Sequence, residues 1–284
     1  MRTNWLQIRT TIALGALAIF AVTISGVGGA ARVGTQNPDT IPAEESAART
    51  KVILQQMISA LGGPVYLNLH DSECSGRLAQ FGQYTGELGA DAPFREIKMP
   101  PDKMRREVGK KLNIIDVYNG NQGWSLDKGG VEDGNAVAIA SFQAGLKMSF
   151  DGLIRSRLTE PGMYFHYGGE DVVDLRQVDW AQLEDADGRT YKIAVEKSTH
   201  LPVRFVILTR NPQTNDQIED VTRFSNWHVQ DGIETAFQVS RTRDNKRISQ
   251  VFYDGCKYNT GLSADFFTRE ALVKRWAEMG HKAN

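Results

Sequence analysis

Cysteine and histidine are scarce in this 284-residue chain, which has two cysteines and five histidines. None of them shows the close ligand spacing of a zinc site, so the sequence predicts no metal centre. The glycine pairs at 129–130 and 168–169 lack the lysine and the helix start of a phosphate-binding loop. We therefore expect no cofactor.

An excess of charge of one sign is also missing, because the formal net charge is −1. A nucleic-acid-binding protein is usually strongly basic, so no nucleic-acid partner is expected. Hydrophobic residues make up 41% of the chain and charged residues 24%. This composition excludes global disorder and allows a substantial core.

A catalytic nucleophile with its base is not visible either. His70 and Cys74 lie four residues apart, which on a strand places them on one face but ~13 Å from each other. The acidic residues are abundant but show no spacing that pairs them as acid and base. The chain is therefore predicted not to be an enzyme, and no catalytic residue is assigned.

An export signal is the clearest feature of the N-terminus. Arg2 and Arg9 precede an uncharged stretch at 10–31 that ends in the small residues 28–31. This is the pattern of a signal peptide, although the stretch also approaches the ~20 residues of a membrane-spanning helix. Residues 1–31 are predicted to be either a cleaved signal peptide or an inner-membrane anchor. Both alternatives place the rest of the chain in the periplasm or otherwise outside the cytoplasm.

The two cysteines have two interpretations in that compartment. Cys74 and Cys256 can pair, since an oxidising environment permits disulfides. The alternative is a pair of separate, half-buried thiols.

A single domain is predicted for residues 42–284, after a polar linker at 32–41. Pro42 and the two acids that follow it suit the first turn of a helix. Apolar side chains recur at helical spacing from Ile53 to Leu61. A second helix is predicted at 263–279.

Alternating apolar residues dominate the region between these helices. The segments 191–195 and 201–207 have the period of two that is typical of strands, and tight-turn pairs such as Asn119-Gly120 and Asp231-Gly232 separate such segments. The class is therefore α+β, with a large antiparallel meander. Residues 136–158 instead have helical spacing, which indicates either an ordinary packing helix or a lid over the sheet.

A strongly twisted meander with one apolar face leaves a concave side that two modest helices cannot fill. We predict an apolar ligand cavity there, and the alternative for each wall residue is simple core packing. The predicted wall residues are Tyr191, Ile193, Val195, Val203, Phe205, Ile207, Trp227, Phe237, Val239, Phe142, Leu146 and Phe150.

A basic cluster precedes this region. For its members we favour a solvated strand face over contact with anionic headgroups, because acids are interleaved with them. The cluster comprises Lys98, Lys103, Arg105, Arg106, Lys110 and Lys111.

Four motifs together resemble one protein family. They are VYNGNQGW at 117–124, VEKSTHLPVR at 195–204, FSNWHVQDGI at 224–233 and LSADFF at 262–267. In order and spacing they are similar to the periplasmic lipoprotein carriers (LolA/LolB-like), over roughly residues 42–267. Ala236 stands where that family usually has proline, and the stretches 127–135 and 168–187 are long additions.

The resemblance implies a half-open antiparallel β-barrel with helices covering its concave face. It also implies a non-catalytic carrier whose partner is a lipid or a lipid-modified protein. The alternative function is an envelope-stress or regulatory sensor of the same fold, which would contact a membrane-associated partner. The sequence identifies neither the ligand nor the oligomeric state.

Overall fold

A computed structural model describes residues 37–82 and 85–280 of the chain. The predicted signal or anchor at 1–31 lies outside the described residues, as does the first half of the predicted linker, 32–36. None of the helices in the described part is long and apolar enough to cross a membrane.

One antiparallel sheet of 13 strands forms the body of the fold. The strands are β1 (Ser72–Phe81), β2 (Leu88–Met99), β3 (Lys103–Val108), β4 (Ile114–Asn119), β5 (Gln122–Asp127), β6 (Gly130–Asp133), β7 (Tyr164–Val173), β8 (Arg176–Glu184), β9 (Thr190–Glu196), β10 (Pro202–Arg210), β11 (Gln217–Gln230), β12 (Ile233–Arg243) and β13 (Lys246–Tyr258). The helices are α1 (Ala43–Leu61), α2 (Pro64–Leu67), α3 (Ala136–Met148), α4 (Phe150–Gly152) and α5 (Arg269–Glu278), with a π-helical segment at Leu153–Arg157 and short 3-10 helices at Pro38–Thr40 and Ala264–Phe267.

The strand order describes two meanders that meet in the middle of the sheet. It runs β6-β5-β4-β3-β2-β1-β13-β12-β11-β10-β9-β8-β7, so the first and last strands pair with each other and β6 and β7 are the two open edges. The predicted α+β class with a large, open antiparallel meander is confirmed.

The tight turns explain why neighbouring strands pair. Gly120, Asp231 and Gly232 have φ values of 60°, 50° and 82°. Such left-handed backbone favours Gly, Asn and Asp, which is why these pairs predicted the hairpins.

Two parts of the chain differ from the sequence prediction. The spacing of Leu67, Leu69 and Leu78 in the sequence predicts a first strand that starts near residue 67. Leu67 instead ends α2, Leu69 follows it, and β1 begins only at Ser72. The additions at 127–135 and 168–187, to which the sequence pattern assigned no secondary structure, are largely strands, since they contribute β6, part of β7 and all of β8. In β7 the pairing shifts between Tyr167 and Glu170, which hides the alternation.

Two hydrophobic clusters lie on opposite sides of the sheet. On the concave side, α1 packs Leu54 and Met57 against strands β7 to β10. On the other side, Phe267 and Leu272 from the C-terminal helical segments pack against β2 to β5. The predicted helix at 263–279 is thus a 3-10 turn followed by α5.

The sheet is strongly curved, as the chain crossing its concave face demonstrates. The Phe142 ring stacks on Tyr118 of β4 at 4.4 Å between centroids, and the Phe150 ring lies 5.2 Å from Phe224 of β11. Six inter-strand steps separate β4 from β11, or about 29 Å along the sheet. Phe142 and Phe150 are eight residues apart and mostly helical, which spans only about 15 Å. The sheet therefore curves towards the chain that crosses its concave face.

Cys74 and Cys256 form a disulfide between the two central strands. They are directly opposite in the pairing of β1 with β13. The bond therefore links the two meanders where they meet.

Close contact at this seam requires a glycine at position 76. A Cβ atom on Gly76 would overlap the carbonyl oxygen of Phe252 on β13. We expect Gly76→Ala to lower the free energy of unfolding by roughly 1–3 kcal/mol, as overpacking does. Gly255→Ala on the same strand pair is the control, because nothing lies within 4 Å of its Cβ position. Equal urea midpoints for both variants would contradict this contact.

Candidate ligand-binding site

The predicted wall residues on β9 and β10 lie in the packed core. Tyr191 and Ile193 are fully buried, and Phe205 is 2% exposed. Leu153 and Ile154 of the π-helical segment join α1 in covering them. This part of the concave face is therefore filled by the protein's own side chains. Phe205→Asp would place a carboxylate in this packed core and would therefore destabilise the fold.

Val195 and Ile207 belong to the same buried cluster, but Val203 does not. Val203 packs with Val178 and Ala194 in a separate cluster. The cause is a register shift between Pro202 and Arg204, which breaks the alternation that linked Val203 to Phe205.

The other predicted wall residues are only half-buried, so they remain accessible. The Trp227 ring lies 6.0 Å from the Phe224 ring, and the Phe237 ring lies 4.6 Å from the His228 ring. Val239 is paired with Phe224 across β11 and β12. Whether any of them contacts a ligand remains a prediction.

Helix α3 has an unusual surface for its composition. Its sequence, AVAIASFQAGLKM, carries one charged residue, yet none of its side chains is buried. Val137 is 77% exposed, and Phe142 and Leu146 are half-buried. An apolar helix normally buries a face against a partner. The protein surface that α3 contacts is therefore too small to bury one of its faces.

The contacts of α3 show which surface of the sheet it faces. Gln143 Nε2 donates a hydrogen bond to the carbonyl oxygen of Gly120 at 3.0 Å, and Phe142 stacks on Tyr118. Met148 and Phe150, just beyond, pack against the core cluster. Helix α3 thus crosses the concave face from β4 towards β11.

We call the surface beneath α3 the inner trough. Residues directly opposite on neighbouring strands share a face, so the pairing places its members on the side that Phe150 covers. Its aromatic and apolar members are Phe94, Tyr118, Phe224, Val239 and Tyr253.

The trough also contains charged groups. Lys98 Nζ contacts Glu96 Oε1 at 2.5 Å, and Arg106 Nε donates to Glu96 Oε2 at 3.0 Å. Burial alone would raise the pKa of Glu96, but the charges of Lys98 and Arg106 outweigh it and lower that pKa to about 2. Burial likewise raises the pKa of Tyr253 to about 12.

Lys98 lies in a part of the concave face that solvent reaches. Its burial acts to lower its pKa, although the charge of Glu96 produces a net rise. Its side chain is nevertheless 44% exposed, and that of Arg106 is 35% exposed. Solvent therefore reaches both cations on this face of the sheet.

The basic cluster predicted as one solvated face is divided by the sheet. Arg105 is buried on the side of α5, where its Nε donates to Glu107 Oε1 at 2.7 Å. Lys98 and Arg106 face the trough instead. Alternation along the strands separates residues that are adjacent in sequence.

A buried polar network closes one end of the concave face. Asp185 Oδ2 accepts hydrogen bonds from Arg157 Nη2 at 3.0 Å and from the Tyr191 hydroxyl at 2.9 Å. Burial raises the pKa of Asp185, but hydrogen bonds from Arg189, Arg157 and Tyr191 prevail and lower it to about 2. The network fixes the π-helical segment to β9, and we assign it a structural role.

Other concavities do not involve the predicted wall. Two clefts of about 190 and 410 Å³ open elsewhere, and none of the predicted wall residues lines them. Within residues 37–82 and 85–280, no group of three or more His, Cys, Asp or Glu side chains is arranged to hold a metal ion.

Several solved structures have a similar fold, among them the following three. A DUF1329 family protein from Desulfovibrio piger is 16% identical, with a TM-score of 0.56 over 80% of this chain and 99% of its own. An outer membrane lipoprotein-sorting protein domain from Vibrio parahaemolyticus is 11% identical, with a TM-score of 0.50 over 81% of this chain and 99% of its own. A LolA superfamily protein from Nitrosomonas europaea is 12% identical, with a TM-score of 0.49 over 78% and 99%.

The first two likenesses establish a shared fold. The resemblance to the periplasmic lipoprotein carriers is thereby confirmed at the level of architecture. The sequence itself matches no protein-family model and no curated protein.

Proposed function

We propose that this chain is a non-catalytic, extracytoplasmic carrier that holds a lipid, or the lipid of a modified protein, in the inner trough beneath α3. The observation that carries the proposal is the apolar helix α3, none of whose side chains is buried although it lies over a concave sheet. The shared fold with a lipoprotein-sorting domain supports the same class of function.

The energy available from such a site is sufficient. Each buried methylene contributes ~0.8 kcal/mol, so ten of them give a gross ~8 kcal/mol. This corresponds to about micromolar affinity before the cost of ordering the ligand. No reacting group is required, and the charged residues of the trough are already engaged in ion pairs with Glu96.

Export is part of the proposal. The disulfide between Cys74 and Cys256 suits an oxidising compartment. We propose that residues 1–31 direct the chain there and that one domain begins near residue 42. N-terminal sequencing of the mature protein tests this, because a start near residue 32 indicates a diffusing carrier and an intact N-terminus indicates an anchored one.

Phe142→Asp is expected to abolish the binding of an apolar dye such as Nile red. The substitution places a charge on the trough side of α3, where Phe142 contacts Tyr118. The thermal midpoint should stay nearly unchanged, because Phe142 is only half-buried. Fluorescence titration measures the loss.

Leu175→Asp is the matched control. Leu175 is 98% exposed in the turn between β7 and β8, so the same change in chemistry leaves the trough intact. Equal dye binding by both variants would exclude the trough as the binding site. Mass spectrometry of an organic extract of the natively purified protein identifies the cargo.

A further inference from the structure

We propose that a cationic cleft beside α5 docks the protein onto an anionic lipid surface. The cleft lies outside the inner trough, so this inference goes beyond the proposed function and concerns the place where the protein meets a membrane. We call it the basic cleft. It has a volume of about 410 Å³ and is lined by Lys111, Asn113, Asp127, Lys128, Arg275, Trp276 and Met279.

Three separate segments of the chain supply the cations of the basic cleft. Lys111 belongs to the turn between β3 and β4, and Lys128 to the turn between β5 and β6. The pairing of β3, β4 and β5 places both turns at one end of the sheet, two inter-strand steps or about 10 Å apart. Arg275 comes from α5, which packs against β5 and β6. Cations that are distant in sequence therefore share one surface.

The lysines of this surface are unpaired. Lys111 and Lys128 are exposed, and neither forms an ion pair within residues 37–82 and 85–280. Lys110 precedes Lys111 in the same turn, is also exposed, and has no ion pair in that part of the chain either. No acid occurs between Gly109 and Ile114. The interleaving of acids that favours a solvated face for the basic cluster therefore does not extend to this turn.

Two acids lie near the cleft, and neither forms an ion pair with its lysines. Asp127 Oδ1 accepts a hydrogen bond from the backbone nitrogen of Gly129 at 2.7 Å, which holds the carboxylate within its own turn. Glu278 pairs with Arg275 at 3.8 Å, but both side chains are exposed, at 51% and 38%. Such an exposed pair contributes little. Three lysines and one arginine therefore oppose two carboxylates, and the cleft keeps a net positive charge.

An aromatic ring lies beside these cations. The Trp276 ring packs over Gly130, since a Cβ atom on that glycine would be 4.0 Å from it, and Trp276 is only half-buried. Tryptophan next to lysine and arginine is typical of protein surfaces at the headgroup level of a bilayer, because the ring is amphipathic and the cations attract anionic lipids. A site for a small soluble anion would need the charges but not the ring.

The inner trough opens at the same end of the sheet. Ile114 follows Asn113 of the cleft and is 51% exposed. It is opposite Val108, which is opposite the trough residue Phe94. Ile114 therefore projects to the trough side next to the basic cleft. Docking through the cleft would hold this end of the trough at the lipid surface, where the cargo of the proposed carrier enters or leaves.

Vesicle sedimentation of the mature protein tests the inference. We expect binding to vesicles of phosphatidylcholine with phosphatidylglycerol and not to vesicles of phosphatidylcholine alone. Binding should be lost between about 0.1 M and 1 M salt, because the screening length falls from about 10 Å to about 3 Å. Lys111→Gln/Lys128→Gln should weaken binding about thirtyfold, which corresponds to about 1 kcal/mol for each cation near an anionic surface.

Lys51→Gln/Lys257→Gln is the matched control. Both lysines are exposed and lie outside the basic cleft, so this variant loses the same net charge. It should bind the anionic vesicles nearly as well as the wild-type protein. Equal losses in the two double variants would overturn the inference, because net charge rather than the cleft would then govern binding.

The remaining outcomes separate the docking surface from the proposed function. Equal binding to both kinds of vesicle overturns the inference, and so does release by glycerol phosphate at the concentration of the vesicle lipid, which would indicate a site for a soluble anion. Lys111→Gln/Lys128→Gln should bind Nile red as the wild-type protein does, because it leaves the trough intact. Wild-type protein that binds dye but no anionic vesicles refutes the docking surface alone, whereas protein that binds vesicles but no dye refutes the proposed function alone.

Discussion

Removing the Cys74–Cys256 disulfide is expected to lower the free energy of unfolding by about 5 kcal/mol. The bond closes a loop with a sequence separation of 182 residues, so its loss greatly increases the freedom of the unfolded chain. The net stability of a domain is typically about 5–15 kcal/mol, so this change removes a large part of it. Urea unfolding of the double variant Cys74→Ser/Cys256→Ser measures the effect.

Reductant provides the internal control for this experiment. Reduced wild-type protein should unfold at nearly the same urea concentration as the double variant, and reductant should not affect the variant. A wild-type midpoint that does not respond to reduction would show that the bond does not constrain the unfolded chain.

The second large effect is expected at Asp185. Its carboxylate accepts hydrogen bonds from Arg157 and Tyr191, and its side chain is only 3% exposed. Asp185→Ala leaves the guanidinium of Arg157, itself 9% exposed, without its main counter-charge. Breaking a buried ion pair in this way costs about 3–5 kcal/mol.

Asp187→Ala is the matched control for this network. Asp187 pairs with Arg189 at 2.6 Å, but its side chain is 67% exposed. Exposed pairs contribute about 0–1 kcal/mol. Similar losses for both variants in urea unfolding would contradict the role assigned to burial.

The stability of the protein in acid should depend on the same carboxyl group. The pKa of Asp185 is about 2 in the folded chain, whereas an unfolded aspartate has a pKa near ~3.9. The unfolded state therefore takes up the proton first as the pH falls. The contribution of Asp185 to stability is present above about pH 4 and is lost as the pH falls towards 2. Asp185→Ala should lose this part of the acid sensitivity.

The sequence predicted the fold wherever the pattern of side chains was regular. The turn pairs Asn119-Gly120 and Asp231-Gly232 marked hairpins that the sheet contains. The sequence pattern did not indicate β7, where the pairing shifts register at two adjacent glycines. A shift of one residue exchanges the two faces of a strand. The alternation of apolar and polar residues is then interrupted within the strand, so the sequence pattern does not reveal the strand.

The site was harder to predict because the burial of a side chain depends on segments that are distant in the sequence. Alternation correctly assigned Tyr191 and Ile193 to the concave face, but it could not show that Leu153 and Ile154 would cover them. The charged residues of the trough were missed for a different reason. Lys98 and Arg106 were grouped with Arg105 by proximity in sequence, whereas the alternation of β3 would already have separated Arg105 from Arg106.

The connection at residues 134–163, which includes α3, joins the last strand of one meander to the first strand of the other. These two strands, β6 and β7, are the free margins of the curved sheet. A single segment of the chain therefore connects the two open edges of the sheet. The length of this segment limits how far apart the two edges can move.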